Sequence, residues 1–275
     1  MVAVAAAATK APDVSRLTRK ERVKLYALLS ERQRRQGQQL FHALYPDEDT
    51  KWTGPSLMGG LIEHGQILHA RDKYPRHLEF FAAGATHRER CFMAANRVGK
   101  SFGGGGYETS CHLTGLYPDW WEGKRFTKPV SAWVAGDTYE TTRDILQLTL
   151  LGEISYRGAR KVMDGCGIIP GSTLGTPVWR QGVQNLVDNI PIKHVSGGWS
   201  SLGLKSYDQG RKAFQGTGRH IIWLDEEPPM DVYNECLIRT ATLDGIALLT
   251  FTPLSGLSEV VLSFMPADQR PDLAA

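Results

Sequence analysis

The stretch Cys91-Phe-Met-Ala-Ala-Asn-Arg-Val-Gly-Lys-Ser101 constrains this chain more than any other. An apolar run breaks there into a polar loop that closes on Gly-Lys-Ser. Its pattern predicts a buried strand from Cys91 to Ala94, then a loop, then a helix beginning near Lys100. Several backbone N–H groups and a helix N-terminus thereby converge on one point, which suits a polyphosphate. In such a loop the Lys100 ammonium reaches the β- and γ-phosphates and the Ser101 hydroxyl binds Mg²⁺. The general pattern is G-x-x-x-x-G-K-[ST]; here Ala94 stands at its first Gly.

At 275 residues the chain has room for one large α/β domain or two small ones. Its 41% hydrophobic and 22% charged residues are ordinary for a soluble globular protein and argue against wholesale disorder. The net charge of +3 is unevenly spread. Residues 1–35 hold nine Lys/Arg against three Asp/Glu, leaving 23 basic against 26 acidic residues elsewhere. That basic segment fits either an acidic partner such as nucleic acid or a solvated helix face. Cys91, Cys111, Cys166 and Cys236 show no metal-ligand spacing, so no zinc site is expected, and each is read as a small apolar residue in a reducing compartment. No stretch approaches 18 consecutive apolar residues, and the alanine-rich start is read as a tail rather than a signal peptide.

Thr18-Arg-Lys-Glu21 has the form of a capping box, opening a basic helix over about residues 19–36. The Pro, Asp, Gly and Ser content from Tyr45 to Gly60 reads as a linker. Tyr74-Pro-Arg-His-Leu-Glu-Phe-Phe81 precedes the loop at a distance where ATP-driven motors place an adenine-contacting element. Tyr74, His77 and Phe80 are its candidates; the alternative is an amphipathic helix burying Leu78 and Phe81. The glycines at 103–106 suit close packing of the loop's helix on a sheet, at a cost in helix propensity. Pro118 to Pro129 reads as an exposed loop, Val130–Ala135 as a buried strand, and Asp137 or Thr138 as the cap of a helix to about Leu151. The runs 190–195 and 201–206 read as paired strands.

His220-Ile-Ile-Trp-Leu-Asp-Glu-Glu-Pro-Pro229 supplies the second half of a site. A buried strand ends there in carboxylates, where parallel α/β sheets place ligands. Beside a phosphate loop, Asp225 can hold Mg²⁺ and Glu226 can orient and deprotonate a water that attacks the γ-phosphate. A further apolar strand, Ile246 to Leu254, ends in Thr250-Phe-Thr-Pro253, bringing two hydroxyls toward the same point.

These three motifs, in this order and spacing, resemble the ATPase half of the large terminase subunit of tailed bacteriophages over roughly residues 65–260. The resemblance implies a P-loop NTPase of the RecA-like additional-strand class. A mainly parallel central sheet flanked by helices would occupy 61–275, preceded over 1–60 by a tail, a basic helical arm and a linker. It implies ATP and Mg²⁺ as cofactors and hydrolysis that drives double-stranded DNA into procapsids. The loop residues Ala95, Asn96, Arg97, Val98, Gly99, Lys100 and Ser101 would hold ATP, with Arg97 on the γ-phosphate. Asp225 would join Ser101 at Mg²⁺, Glu226 would be the catalytic carboxylate, and Thr250 and Thr252 would lie in the coupling motif. Arg143 is the candidate finger toward a neighbouring subunit's nucleotide, and His77 stands where the family commonly has Gln for adenine.

The same resemblance implies a portal protein and a small terminase subunit as partners. It further implies a homo-oligomeric ring, expected as a pentamer, on the procapsid in the host cytoplasm, with no membrane. Large terminase subunits continue into an RNase H-like nuclease, whereas this sequence stops about twenty residues after Thr-x-Thr-Pro. The expectation is therefore an ATPase fragment or a nuclease on a separate chain. Two other readings share the motifs: a helicase-like translocase, which needs a second RecA-like domain, and a nucleotide-gated assembly module with negligible turnover alone.

Overall fold

The computed structural model describes residues 18–26, 39–254 and 256–270. Its strands are β1 (Thr50–Lys51), β2 (Ile67–Leu68), β3 (Glu89–Met93), β4 (Ser131–Gly136), β5 (Ile154–Arg157), β6 (Arg160–Met163), β7 (Val178–Trp179), β8 (Val187–Lys193), β9 (Trp199–Ser206), β10 (Ile221–Asp225) and β11 (Ile246–Phe251). Seven of them form one sheet in the spatial order β3-β11-β10-β4-β9-β8-β7. Neighbours from β3 to β9 pair in parallel; β8 and β7 then continue antiparallel. The strand β11 lies between β3, which feeds the Gly-Lys-Ser loop, and β10, which ends in Asp225. That interposed strand defines the additional-strand class that the resemblance implied.

The principal helices are α1 (Leu40–Ala43), α2 (Pro75–Ala83), α3 (Tyr107–Thr114), α4 (Tyr139–Thr141), α5 (Leu148–Leu151), α6 (Met230–Ala241) and α7 (Glu259–Phe264). A π-helical stretch, Lys100–Gly106, runs into α3, and another, Thr142–Gln147, joins α4 to α5. Alternation along the central strands explains why helices cover both sheet faces. Ala132, Val134, Ile221, Trp223, Ile246 and Leu248 enter the core under α3, whereas Trp133, Ala135, Ile222, Leu224, Leu249 and Phe251 enter a second core with α6 and α7.

The glycines at 103–106 make the first of these contacts possible. A Cβ on Gly105 would lie 2.3 Å from the Trp223 indole, and one on Gly103 would lie 2.7 Å from the Tyr45 hydroxyl. The helix backbone itself is therefore the packing surface.

Several local expectations hold. Thr18 and Glu21 exchange the capping-box hydrogen bonds at 2.8 and 3.3 Å, and helix follows over 19–26. The remainder of that expected helix and the alanine-rich start lie outside the described residues. Thr138 caps α4, and β8 pairs with β9.

Two segments differ from their reading. Leu40, Phe41, Tyr45, Trp52, Leu57 and Met58 are buried in the main core, so 40–60 is part of the domain and not a linker. Pro and Gly there turn the chain while the apolar residues between them stay inward. Likewise Trp121 is buried within the expected exposed loop and packs on Phe81, and its indole N–H donates to the Lys124 carbonyl at 3.1 Å.

A buried chain of polar groups runs from β3 to α3 and on to Tyr117. Arg90 donates two hydrogen bonds to Glu108, at 2.6 and 3.1 Å, with both side chains buried. His112 Nε2 lies 3.1 Å from the same carboxylate, and Nδ1 lies 2.9 Å from the Tyr117 hydroxyl, which accepts from Phe126 N–H at 2.7 Å. A neutral imidazole protonated on Nε2 satisfies both ring nitrogens, because the Tyr117 O–H then donates to Nδ1. Burial raises the Glu108 carboxyl, but Arg90 and His112 outweigh it and hold it below the usual range. Burial also holds His112 below its ordinary 6.5, against the pull of Glu108.

Glu108→Gln strands the buried Arg90 without its counter-charge, and a loss of about 3–5 kcal/mol is expected in urea unfolding. Because the unfolded chain takes a proton that folded His112 refuses, its contribution to stability is full above 6.5 and falls as pH drops below it. The melting temperature should decline on acidification from pH 7 toward 5, and His112→Asn should flatten that slope.

Candidate active site

The loop leaves β3 at Ala94 and turns sharply. Arg97 adopts φ 65° and Gly99 φ 82°, left-handed values that only Gly takes without cost. Gly103 and Gly104 both donate to the Gly99 carbonyl, at 2.7 and 3.0 Å, so the helix opens with a π turn. The Lys100 side chain is buried, and among the described residues its ammonium has a single long hydrogen bond, 3.4 Å to Asn96 Oδ1. A buried cation with one weak protein partner suits an anion from outside the chain.

Across from it, β10 ends in the carboxylates. Trp223 Nε1–H donates to Thr250 Oγ1 at 2.6 Å, and Thr250 donates to Asp225 Oδ1 at 2.6 Å. An indole N–H can only donate, so the Thr250 proton is directed onto the carboxylate. The Ser101 hydroxyl lies near enough to favour the ionised Asp225 carboxylate as well. Burial pushes the Asp225 carboxyl up to about 6; Ser101, Thr250 and the Lys100 charge oppose the rise, and Glu226 adds to it. Ser101 and Asp225 thus offer hard oxygen donors, the kind that Mg²⁺ takes alongside phosphate oxygens.

Glu226 follows with φ 62°, and its N–H donates to the Thr250 carbonyl at 3.0 Å. It lines a cleft of about 390 Å³ with Asp137, Thr141 and Thr252. The Thr252 hydroxyl lies 2.8 Å from Asn96 Oδ1 and 2.9 Å from the Ala94 carbonyl, linking the end of β11 to the loop.

Of the base-end candidates, Tyr74 and His77 line a larger cavity of about 940 Å³ together with Arg97, Lys100 and Ser101. The His77 ring lies against Gly99, its Nε2 3.4 Å from where a Cβ on that glycine would sit. Phe80 does not line this cavity: it is buried, stacked on Phe92 and beneath the Arg90 guanidinium. One turn beyond His77 on α2, Phe80 shares the packing on Phe92 but sits under Arg90, at the end of the helix away from the loop. Val98 is exposed at the loop's outer edge. Arg143 pairs with Asp144 at 2.7 Å and lines neither the cavity nor the Glu226 cleft.

Other site residues escaped the sequence reading. Leu44, Leu61, Ile62, Ile67 and Leu68 form the apolar end of the large cavity, and they lie in or beside the stretch read as linker. The Tyr207 hydroxyl donates to the Asp225 carbonyl at 2.9 Å, which steadies the backbone before the strained Glu226. Its only sequence signal was the Ser206–Gln209 capping box beside it. Among the described residues no cluster of three His, Cys, Asp or Glu forms a metal cage, and no helix is long and apolar enough to cross a membrane.

Strand order, loop and strand-end carboxylates together define a P-loop NTPase of the additional-strand class. The family described as "Terminase large subunit, T4likevirus-type, N-terminal" matches residues 91–274, and the chain belongs to it. It is 39% identical to the terminase large subunit of Salmonella phage P22, over 72% of this chain and 42% of that protein. The chain therefore spans less than half the length of that relative. It also aligns with the large terminase ATPase domain of Thermus phage P74-26, at 19% identity and a TM-score of 0.34, over 66% of this chain and 69% of that one. For the large terminase of a thermophilic bacteriophage in complex with ADP, the identity is 12% and the TM-score 0.38, over 66% of this chain and 38% of that one. Both superpositions are loose, and the fold is defined by the strand order itself.

Left-handed backbone at Glu226 costs about 1 kcal/mol that Gly does not incur. Glu226→Gly is expected to raise stability by about 0.5–1 kcal/mol in denaturant unfolding, since it also removes a charge beside Asp225.

Proposed function

We propose that the chain is the ATP-hydrolysing motor domain of a phage terminase, moving double-stranded DNA into procapsids. The observation that carries this reading is the meeting of Ser101, Asp225 and Glu226 at one end of β10, opposite a buried Lys100 with almost no protein partner. A site that only gripped a phosphate would have no use for the second carboxylate.

In this reading the loop N–H groups and Lys100 hold the β- and γ-phosphates, and Arg97 contacts the γ-phosphate. Ser101 and Asp225 would hold Mg²⁺, which supplies charge neutralisation on the phosphate oxygens. Glu226 orients a water and takes its proton as the water oxygen bonds to the γ-phosphorus. The bond from that phosphorus to the β–γ bridging oxygen breaks, and ADP and phosphate leave. Thr250 acts as a positioning residue through Asp225. Thr252, bonded to Asn96, links the loop to the chain beyond β11 and is the element that couples hydrolysis to movement. Tyr74 and the apolar cavity end receive the base. Arg143, on the surface of the π stretch, serves a neighbouring subunit's site in a homo-oligomeric ring assembled with portal and small subunit.

Lys100→Ala should remove binding of a fluorescent ATP analogue; retained binding would rule out the phosphate-loop role. Glu226→Gln should keep that binding and slow DNA-stimulated turnover by about a hundredfold or more. Undiminished turnover in a phosphate-release assay would dismiss Glu226 as the base.

A further inference from the structure

Away from the nucleotide cavity, the hairpin β5–β6 carries an arrangement that folding alone does not explain. Its two-residue connection is Gly158-Ala159, with Gly158 at φ 62°. The register places Arg157 directly opposite Arg160 and Tyr156 opposite Lys161. Side chains alternate faces, so Ile154, Tyr156, Lys161 and Met163 share one face, whose Ile154 and Met163 end is held in the core. Arg157 and Arg160 share the other face and are exposed.

Two like charges directly across a strand pair repel and weaken it. Neither guanidinium has an ion-pair or hydrogen-bond partner among the described residues. The acidic residues flanking the hairpin are occupied at its base: Glu153 accepts from Gly59 N–H at 3.1 Å, and Asp164 accepts from Glu153 and Cys166 N–H at 2.9 Å. Lys161 is fixed, its ammonium 4.0 Å from the centre of the Trp179 ring and 2.6 Å from Asn185 Oδ1. The tip is thus a braced, outward pair of guanidiniums whose repulsion an external anion would relieve. Tyr156, 69% exposed, lies on the opposite face of the tip.

We propose that this tip grips the phosphate backbone of duplex DNA, Arg157 and Arg160 closing on phosphates from the two strands of the hairpin. Arginine forks match phosphate oxygens, and the paired positions are close enough to serve one phosphate or two adjacent ones. The stretch α4–α5 leads directly into β5, and its first residues border the Glu226 cleft. The proposal rests on the reading of the chain as a DNA motor and names the element that touches the track.

The test uses the full chain, a short fluorescent duplex and anisotropy titrations between about 50 and 200 mM salt. R157Q/R160Q should weaken binding about tenfold at the low end and make the slope of log affinity on log salt shallower by about 2, the release expected for two phosphate contacts. R157K/R160K should keep most of the affinity. Relief of the repulsion should leave the melting temperature of R157Q/R160Q equal or higher, and ATP-analogue binding should not change. Duplex binding by the unmodified chain with no effect of R157Q/R160Q would overturn the hairpin proposal and leave the motor reading standing. No duplex binding by the unmodified chain at low salt would overturn both. If polyglutamate competes as well as unlabelled duplex at equal charge, the tip is a general polyanion surface and the proposal fails.

Discussion

One side chain, Trp223, joins the packing of this domain to the orientation of its site. Its indole occupies the space where a Cβ on Gly105 would sit, so the helix after the loop approaches β10 only because that position is glycine. The same indole donates to Thr250, which in turn donates to Asp225. Displacing the helix would move Ser101 away from Asp225 and loosen the donor that aims the carboxylate. The glycine run, costly in an isolated helix, is offset by the burial of a large aromatic against backbone.

Strain follows from the same economy of space. Arg97 and Glu226 are both non-glycine residues in left-handed backbone, one in the loop after β3 and one at the end of β10. Such residues persist only where their surroundings over-determine them. For Glu226 those surroundings are visible: its N–H is bound by the Thr250 carbonyl, and Tyr207 holds the carbonyls of Asp225 and Glu226. Glycine would fit either turn more easily but would carry no charged side chain.

Sequence made the candidate site's edge legible because loop, carboxylates and Thr-x-Thr-Pro are short motifs whose residue types are dictated by local chemistry. The continuous apolar runs around them, Ile221-Ile-Trp-Leu and Ile246-Ala-Leu-Leu, likewise report burial on both sheet faces directly. The apolar end of the cavity was not legible. Leu61, Ile62, Ile67 and Leu68 are scattered among Gly, Glu and His with no period, because they line a cavity from turns and a two-residue strand pair. The tryptophans at 120 and 121 misled for a related reason: charged neighbours suggested solvent, whereas Trp121 is anchored by a backbone acceptor and Phe81. Phe80 shows the limit of spacing arguments, since its place on the helix was right and its facing was decided by Phe92 and Arg90.

The stretch from Thr138 to Leu151 ties the two ends of the proposed motor together. Its first turn borders the cleft beside Glu226, and it runs past Gln147, which accepts from Val187 N–H at 2.7 Å and donates to the Asn185 carbonyl at 3.0 Å. Asn185 also receives Lys161 of the hairpin. The hairpin is therefore braced by the same residue that the helix grips, Lys161 on the Asn185 side chain and Gln147 on its carbonyl, rather than hanging from a free loop. A π-helical middle, Thr142–Gln147, interrupts this stretch, and π turns are frequent at functional sites because a one-residue insertion re-aims side chains. In the proposed motor, an element that holds DNA at one end while the other meets the nucleotide needs a firm anchorage, and Gln147, at the end of the π segment, supplies it through both its bonds to the 185–187 backbone.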